Sequence, residues 1–161
     1  MRRAGVGAGL SFSGKRVKEM KYQDNNKKFV VLVNSKVELG RQLNAIAHLC
    51  FGMKCRDDEV ASAPMDHYIG KDGSSHCEIA RHPFIILKAK NSNQIAKFRD
   101  ECIAAGLVYN DFVRQMIASS AEEQLRQTKE AEYDELEYLA ICVFGCAEQL
   151  KPLTKKFSLV K

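Results

Sequence analysis

The sequence predicts an α/β domain built on a mixed β-sheet with helices on its faces. Three runs of β-branched and aliphatic residues, 28–34, 84–89 and 136–144, are typical of strands buried on both faces. The segments between them carry apolar residues at helical spacing, so strands and helices alternate along the chain. A length of 161 residues with 45% apolar and 28% charged side chains suits one globular domain. We therefore expect the three runs to be the central strands of one sheet.

The first half of the chain contains one clear strand and one clear helix. After the strand at 28–34, apolar side chains recur every three or four residues from 38 to about 53, which predicts an amphipathic helix ending near Gly52. The apolar residues of this helix are Leu39, Leu43, Ile46, Ala47 and Cys50. Residues 54–82 are polar and irregular. We expect two short strands there, at 66–69 and 75–79, joined by a glycine turn at 70–73.

The second half continues the alternation of strand and helix. The expected strands are at 84–89, 107–112, 136–144 and, at the end of the chain, 157–160. The expected helices between them run from 91 or 92 to Gly106, from 119 or 120 to about 129, and from 146 to about 153. Asn91 and Ser92 are candidate caps of the first of these helices, and Ser119 and Ser120 of the second. An acidic run precedes the last long strand and is interpreted as its solvated entrance; it contains Glu132, Asp134, Glu135 and Glu137.

The net charge of +5 is distributed unevenly along the chain. Residues 1–28 carry eight basic and two acidic side chains, whereas the other 133 residues carry 17 basic and 18 acidic ones. A nearly neutral body lacks the overall electrostatic signature of a duplex-binding domain, although a local patch can still bind phosphate. Residues 1–22 are predicted to be a flexible basic segment that contributes little to folding, and residues 23–161 a single domain.

The cysteine pattern and the hydropathy indicate a cytoplasmic protein without a membrane segment. The glycine-broken apolar stretch near the N-terminus is too short for a good export signal, and the longest apolar run, 139–144, has six residues. Six cysteines in such a chain are expected to be reduced thiols. The His and Cys residues between 48 and 82 lack the paired spacing of zinc ligands, so no metal is expected.

Several segments of the chain, taken in order, resemble one family. They are K-F-V-V-L-V-N from 28, L-G-R-Q-L-N-A-I-A-H from 39, H-P-F-I-I-L-K-A from 82, A-A-G-L from 104, Y-N-D-F from 109, D-E-L-E-Y-L-A-I-C-V-F-G from 134 and P-L-T-K-K-F-S-L from 152. Together they resemble the family numbered two thousand among the domains of unknown function. That family is similar in fold to the type II peptidyl-tRNA hydrolases. The resemblance implies a peptidyl-tRNA hydrolase-like α/β domain.

The hydrolases cleave the ester that joins a peptide to tRNA, and the resemblance assigns candidate site residues. Gly40 and Arg41 stand where the hydrolases have a Gly-Lys pair opening the first helix. His48 matches a histidine later on that helix, and Asp111 and Arg114 match an Asp and an Arg after the third strand. The resemblance therefore implies catalytic roles for Asp111 and His48, and ligand binding by Gly40, Arg41 and Arg114.

The chain departs from the hydrolase pattern at three positions. Val113 replaces a glycine, Gln115 replaces a threonine, and Arg41 replaces the lysine. An arginine keeps the positive charge but cannot lose a proton, and the missing threonine removes a hydroxyl that would position water or substrate. These departures favour a binding module over an active hydrolase.

Each candidate residue also has a purely structural interpretation. Asp111 after a strand can act as a base or cap a turn, Arg41 can hold an anion or remain solvated, and His48 can be catalytic or simply half-buried. We expect Arg41, His48 and Asp111 to share one cleft.

Two classes of function therefore remain. One is a module that binds an anionic or ester-bearing ligand, and the other is a hydrolase of a peptidyl-tRNA-type ester. RNA or a small anionic ligand, and a second copy of the chain in a homodimer, are the candidate partners. No cofactor is expected, because the sequence contains no P-loop, dinucleotide-binding fingerprint or nucleophile elbow.

Overall fold

The computed structural model describes residues 26–161, so the predicted flexible segment 1–22 lies outside the described residues. In chain order the elements are β1 (Lys27–Asn34), α1 (Leu39–Met53), α2 (Asp58–Ala61), β2 (Met65–Asp66), β3 (Ile79–Ala80), β4 (Phe84–Ala89), α3 (Ser92–Ala104), β5 (Val108–Val113), α4 (Ala121–Glu130), β6 (Tyr138–Cys146), α5 (Ala147–Thr154) and β7 (Ser158–Leu159). Two short 3₁₀ turns, Arg114–Ile117 and Tyr133–Glu135, follow β5 and precede β6. No helix in this part of the chain is both long and apolar enough to cross a bilayer.

The main sheet has five strands in the order β5-β6-β1-β4-β7. β1 and β4 are parallel, with Val31 opposite Ile86, whereas β6 is antiparallel to both of its neighbours. The sheet is therefore mixed, as the sequence predicts, and the three most apolar runs form its three inner strands. The two-stranded pair of β2 and β3 lies outside this sheet.

The alternation of side chains in β1 divides the core into two layers. Val31 and Val33 pack in one cluster with Ala45 and Leu49 of α1. Val30 and Leu32 point to the other face, where the second cluster contains residues of α3 and α5. Helices thus cover both faces of the sheet, and this explains why the side chains on both faces of the central strand β1 are mostly apolar.

The helix ends follow the capping residues predicted from the sequence. Asn91 accepts a hydrogen bond from the backbone N–H of Gln94, and Ser120 accepts one from that of Glu123. α3 ends in a Schellman motif, in which Leu107 N–H donates to the Cys102 carbonyl and Gly106 N–H to the Ile103 carbonyl. Gly106 has a φ of 65°, a conformation that glycine adopts without a steric penalty.

The structure corrects the sequence prediction at two places. The strands expected at 66–69 and 75–79 are reduced to two residues each, with one further bridge between Ile69 and Ser75, because the turn after Ile69 forms its own hydrogen bonds. The last long strand begins at Tyr138 rather than at 136. A capping box between Glu132 and Glu135 holds a 3₁₀ turn immediately before it, which delays the entry into the sheet.

Candidate functional site

An open groove of about 610 Å³ lies between α1, α4 and the turn that follows β5. Its lining is mostly apolar, with four polar side chains. The residues that line it are Asn44, His48, Phe112, Met116, Ile117, Ala118, Ala121, Gln124, Leu125 and Thr128. A concave, largely apolar site with a few polar groups is the usual form of a small-molecule site in proteins.

His48 is the one residue with predicted catalytic function that lines this groove. Its ring stacks on Phe112 with centroids 5.6 Å apart and an interplanar angle of 21°. The side chain is exposed, and within residues 26–161 its ring nitrogens form no hydrogen bond. Phe112 therefore fixes the orientation of the imidazole while both nitrogens stay available to a ligand.

The first turn of α1 carries the predicted ligand-binding pair Gly40 and Arg41. A Cβ atom at Gly40 would meet nothing within 4 Å, so the surface there is open. Arg41 Nε lies 4.0 Å from Glu38 Oε2, and the guanidinium is half exposed. Arg41, Asn44 and His48 are spaced by three and four residues, which places them on one stripe of α1. Arg41 thus extends the line of groove residues toward the N-terminal end of the helix.

Arg114 is held by an acidic neighbour rather than free. Its guanidinium binds Glu137 through two parallel hydrogen bonds, one of which joins Nη2 to Oε1 at 2.6 Å. This guanidinium lowers the pKa of the Glu137 carboxyl below its ordinary value, and the charge of Arg41 contributes in the same direction. Arg41 is therefore close enough to Glu137 for its charge to act on that carboxylate, but only Arg114 is hydrogen-bonded to it. The sequence interpretation of Glu137 as a solvated residue missed this pair.

Asp111 does not join the groove, and the expectation of one cleft with Arg41 and His48 is wrong. Successive side chains of β5 point to opposite faces of the sheet. Phe112 belongs to the cluster beneath α1, whereas Asp111 reaches α3, where its Oδ2 accepts a hydrogen bond from Arg99 Nε at 2.6 Å. The sheet consequently separates Asp111 from His48.

Arg99 and the tyrosines around it give Asp111 a structural environment. The Arg99 guanidinium lies 5.3 Å from the ring centroid of Tyr109 and 5.9 Å from that of Tyr138. Burial raises the pKa of Tyr138 to about 12. Because Arg99 stacks on two rings and pairs with a carboxylate, it holds α3 against β5. Arg99 is the second residue that the sequence reasoning missed.

Gln115, which stands where the resemblance predicts a threonine, has an environment of its own. Gln115 Nε2 donates to the backbone carbonyl of Glu135 at 3.2 Å. Its Oε1 is buried and has no hydrogen-bond partner in the described part of the chain. The amide is thus directed toward the turn before β6 rather than toward His48, whose groove it does not line.

Residues 26–161 provide no arrangement of side chains suited to a metal ion. No three His, Cys, Asp or Glu side chains in that range come together in a way that could hold a metal ion. All six cysteines are free thiols.

A five-stranded mixed sheet covered by helices on both faces, with a groove beside its first helix, defines the class as an α/β domain. Residues 27–161 match the family described as a protein of unknown function (DUF2000), and the chain belongs to this family. This confirms the family resemblance seen in the sequence. No curated protein matches the sequence.

One solved structure with a similar fold is a protein of unknown function, Atu0240, from Agrobacterium tumefaciens strain C58. It is 12% identical in sequence, with a TM-score of 0.71, and the match covers 84% of this chain and 98% of that chain. At this level of identity the likeness shows the fold alone.

Proposed function

We propose that this protein is a binding module of the peptidyl-tRNA hydrolase-like type, and that the groove between α1 and α4 takes an ester-bearing ligand with an apolar body. The observation that carries the proposal is the groove itself, with His48 held at its wall. The alternative is a hydrolase that cleaves a peptidyl-tRNA-type ester.

The apolar part of the groove suits an acyl chain or an apolar amino-acid side chain. Phe112, Met116 and Ile117 form a continuous apolar lining on the β5 side. Across from them Leu125 of α4 is 74% exposed. A large exposed leucine that borders a concave surface loses contact with water when a ligand fills that surface, and this burial favours binding.

The polar side chains in the groove suit an ester rather than a second apolar group. A neutral imidazole both donates and accepts one hydrogen bond, so His48 can donate to an ester carbonyl oxygen. Asn44 lies one turn earlier on α1, and Gln124 and Thr128 face the groove from α4. However, Thr128 Oγ1 already donates to the Gln124 carbonyl at 2.8 Å. Gln124 Nε2 likewise donates to the Ala118 carbonyl at 3.1 Å, so Asn44 and His48 on the α1 side are the principal polar groups offered to a ligand.

Charge near the groove comes from Arg41. Arg114 is already hydrogen-bonded to Glu137, whereas Arg41 has only the 4.0 Å contact with Glu38 and a longer-range charge interaction with Glu137. The N-terminal end of α1 adds the positive end of the helix dipole at the same place. A carboxylate or phosphate attached to the ester ligand would therefore be attracted to the Arg41 end of the groove.

The separation of the carboxylate from the imidazole favours binding over catalysis. A general base must lie within hydrogen-bond reach of the proton it removes. Asp111 is paired with Arg99 on the face covered by α3, and Glu137 is paired with Arg114. Within residues 26–161, no carboxylate pairs with His48 to orient the imidazole as a base.

The test compares N-acetyl-phenylalanyl-tRNA, which carries the ester and an apolar body, with deacylated tRNA. Binding is measured by fluorescence anisotropy, and release of N-acetyl-phenylalanine is followed in the same samples. We expect the acylated form to bind more tightly. We expect His48→Ala to remove most of this preference. The ratio of the two affinities should fall about tenfold, which corresponds to about 1.4 kcal/mol.

Two control variants separate the groove from the rest of the molecule. His76→Ala removes an exposed histidine of the 54–82 segment and should leave the preference unchanged. Asp111→Asn should also leave it unchanged. Equal binding of acylated and deacylated tRNA by the unmodified protein would refute the proposal. Multiple turnovers of the ester that Asp111→Asn abolishes would establish the hydrolase instead.

A further inference from the structure

A second concave surface, which we call the lysine pocket, lies at the carboxyl ends of the parallel strands β1 and β4. It has a volume of about 480 Å³. Its polar lining consists mainly of Lys88, Lys90, Lys155, Lys156, Ser35 and Ser158. We propose that the lysine pocket binds the phosphate group of a small phosphomonoester. The site is independent of the α1–α4 groove and of the function proposed for it.

The fold assembles the lysine pocket from segments that are distant in sequence. Lys88 lies in β4 opposite Ser158 of β7, so their side chains share one side of the sheet. Lys155 and Lys156 lie in the turn between α5 and β7. Ser35 follows β1, and its N–H donates to the Ala89 carbonyl at 2.9 Å. Pairing of β4 with β7 is therefore what brings the two pairs of lysines together.

The charge of the lysine pocket is largely uncompensated. Lys156 Nζ lies 2.9 and 2.8 Å from the two carboxylate oxygens of Glu101. Within residues 26–161, Lys88, Lys90 and Lys155 form no ion pair. Residues 29–161 together have one more acidic than basic side chain, so this concentration of positive charge is local. Cations in a shared concave surface repel one another, and a bound anion would offset that repulsion by attracting each of them.

The chemistry of the lysine pocket fits a dianionic phosphate better than a single carboxylate. Three unpaired ammonium groups and two serine hydroxyls offer more donors and more charge than one carboxylate can use. The backbone N–H of Lys90 already donates to Gln94 Oε1 at 2.8 Å, which leaves the Gln94 Nε2 group free to donate to a ligand oxygen. The first turn of α3, which begins at Ser92, adds the positive end of a helix dipole.

The position and size of the lysine pocket favour a small ligand over a nucleic-acid strand. In open α/β sheets, ligands commonly bind outside the carboxyl ends of parallel strands, where the lysine pocket lies. Its volume falls within the range of about 300–1,000 Å³ typical of small-molecule sites. Phe157 also lines the lysine pocket, and its ring is fixed edge-on against Phe98, with centroids 5.7 Å apart. An apolar residue beside a phosphate site suits the organic part of a phosphomonoester.

The experiment titrates the full chain with 5′-AMP by isothermal calorimetry at about 0.15 M salt, where long-range attraction is screened. Inorganic phosphate tests the phosphate group alone, and adenosine tests the nucleoside without it. A hexauridine with a 5′-hydroxyl tests internal phosphodiesters. We expect AMP and phosphate to bind, and adenosine to bind at least tenfold more weakly than AMP.

The decisive variant is Lys88→Gln/Lys90→Gln/Lys155→Gln, matched by Lys54→Gln/Lys71→Gln/Lys129→Gln, which removes the same charge from exposed positions elsewhere. We expect the first to lose at least tenfold in AMP affinity and the second to stay within twofold. All six lysines are exposed, and circular dichroism will verify that both variants fold. Lys155→Gln alone should give a smaller loss in the same direction.

Three results would overturn the proposal. They are equal losses in the two triple variants, undiminished binding of adenosine, and tighter binding of hexauridine than of AMP with the same dependence on the pocket lysines. The preference of the unmodified protein for acylated over deacylated tRNA should survive in the pocket variant. Failure of this proposal therefore leaves the proposed function of the groove untouched, and the reverse also holds.

Discussion

Arg99 Nε and Asp111 Oδ2 are 2.6 Å apart, and this ion pair joins α3 to the edge strand β5. Both side chains are only about one-fifth exposed, at 22% and 21%. The stacking of Arg99 on Tyr109 and Tyr138 holds the guanidinium in place. The pair consequently acts as a cross-link between a helix and a strand at the margin of the core.

Asp111→Asn should therefore lower the stability of the fold rather than remove an activity. The substitution leaves Arg99 without its carboxylate in a partly buried site, and we expect a loss of about 1–2 kcal/mol in the free energy of unfolding. Urea denaturation followed by circular dichroism measures it. Asp134→Asn, at an exposed position, should change the free energy by less than about 0.5 kcal/mol. Equal stability of the two variants would contradict the structural role of Asp111.

The pair of Arg114 and Glu137 predicts a specific dependence of stability on pH. The Arg114 guanidinium keeps the pKa of Glu137 below its ordinary value of 4.5, so the folded state favours the ionised carboxylate. The pair stabilises the fold at pH values above the pKa that Glu137 has in the unfolded chain. This stabilisation is lost as the pH falls through the lower pKa that Glu137 has in the folded protein. Glu137→Gln should therefore destabilise the protein at pH 7, and the difference from the unmodified protein should shrink toward pH 3.

Thermal melts of both proteins across this pH range give the measurement. Glu148→Gln, a substitution at an exposed position of α5, serves as the control and should not show the same convergence at low pH. A difference between Glu137→Gln and the unmodified protein that stays constant from pH 7 to pH 3 would show that Glu137 stabilises the fold by packing and not by charge.

The cysteines should react with iodoacetamide in an order set by exposure and pKa. Cys55 and Cys77 are exposed and should be alkylated first. Cys102 is buried, and desolvation raises its pKa to about 12, so it should remain unmodified in the native protein. Mass spectrometry of protein labelled at pH 7.5 gives the extent at each site. Rapid labelling of Cys102 without denaturant would show that α3 is not packed as described.

Cys50 provides a sharper case, because its thiol contacts that of Cys142. A hydrogen bond from Cys142 lowers the pKa of Cys50, while the same contact and burial raise the pKa of Cys142. Cys142→Ala removes this donor, and Cys50 should then be alkylated more slowly at pH 7.5. Unchanged or faster labelling of Cys50 in the variant would contradict this role. The rate at exposed Cys77 in the same sample serves as the internal control.

Two glycines should respond in opposite ways to the same substitution. Gly106→Ala forces a side chain into a left-handed conformation at φ 65° and should cost about 1 kcal/mol. Gly40→Ala lies in α1 with nothing within 4 Å of the new Cβ, and should stabilise the fold by about 0.5 kcal/mol. Chemical denaturation of the two variants measures both values. The same sign for both changes would refute the assigned backbone roles.

The fold could be predicted from the sequence because its inner strands and helix caps are local signals. The apolar runs that form β1, β4 and β6 indicate their burial within six to nine residues, and Asn91 and Ser120 lie where a cap is needed. The candidate site could be predicted only in part. His48 was found through a resemblance, but Asp111 was expected in the wrong cleft, because the face of the sheet to which it points depends on the register of β5.

The pairings missed in the sequence share one physical cause. Glu137 meets Arg114 only because β5 and β6 are antiparallel neighbours, with Val113 opposite Tyr138. The lysine pocket forms only because the short strand β7 returns to β4. Such contacts join residues more than 20 positions apart, and no local pattern of charge or hydropathy encodes them.

The position of β6 also has a consequence for how the protein is made. This strand is the second from the edge and separates β5 from β1, yet it consists of Tyr138–Cys146, near the end of the chain. While the ribosome is still adding residues before 138, β5 has no neighbour, and β1 exposes one row of unpaired N–H and C=O groups. Nascent chains therefore pass through a stage in which the edges of β5 and β1 that will later pair with β6 are both open. Translation that stalls before Tyr138 should give a product that depends on chaperones for its solubility.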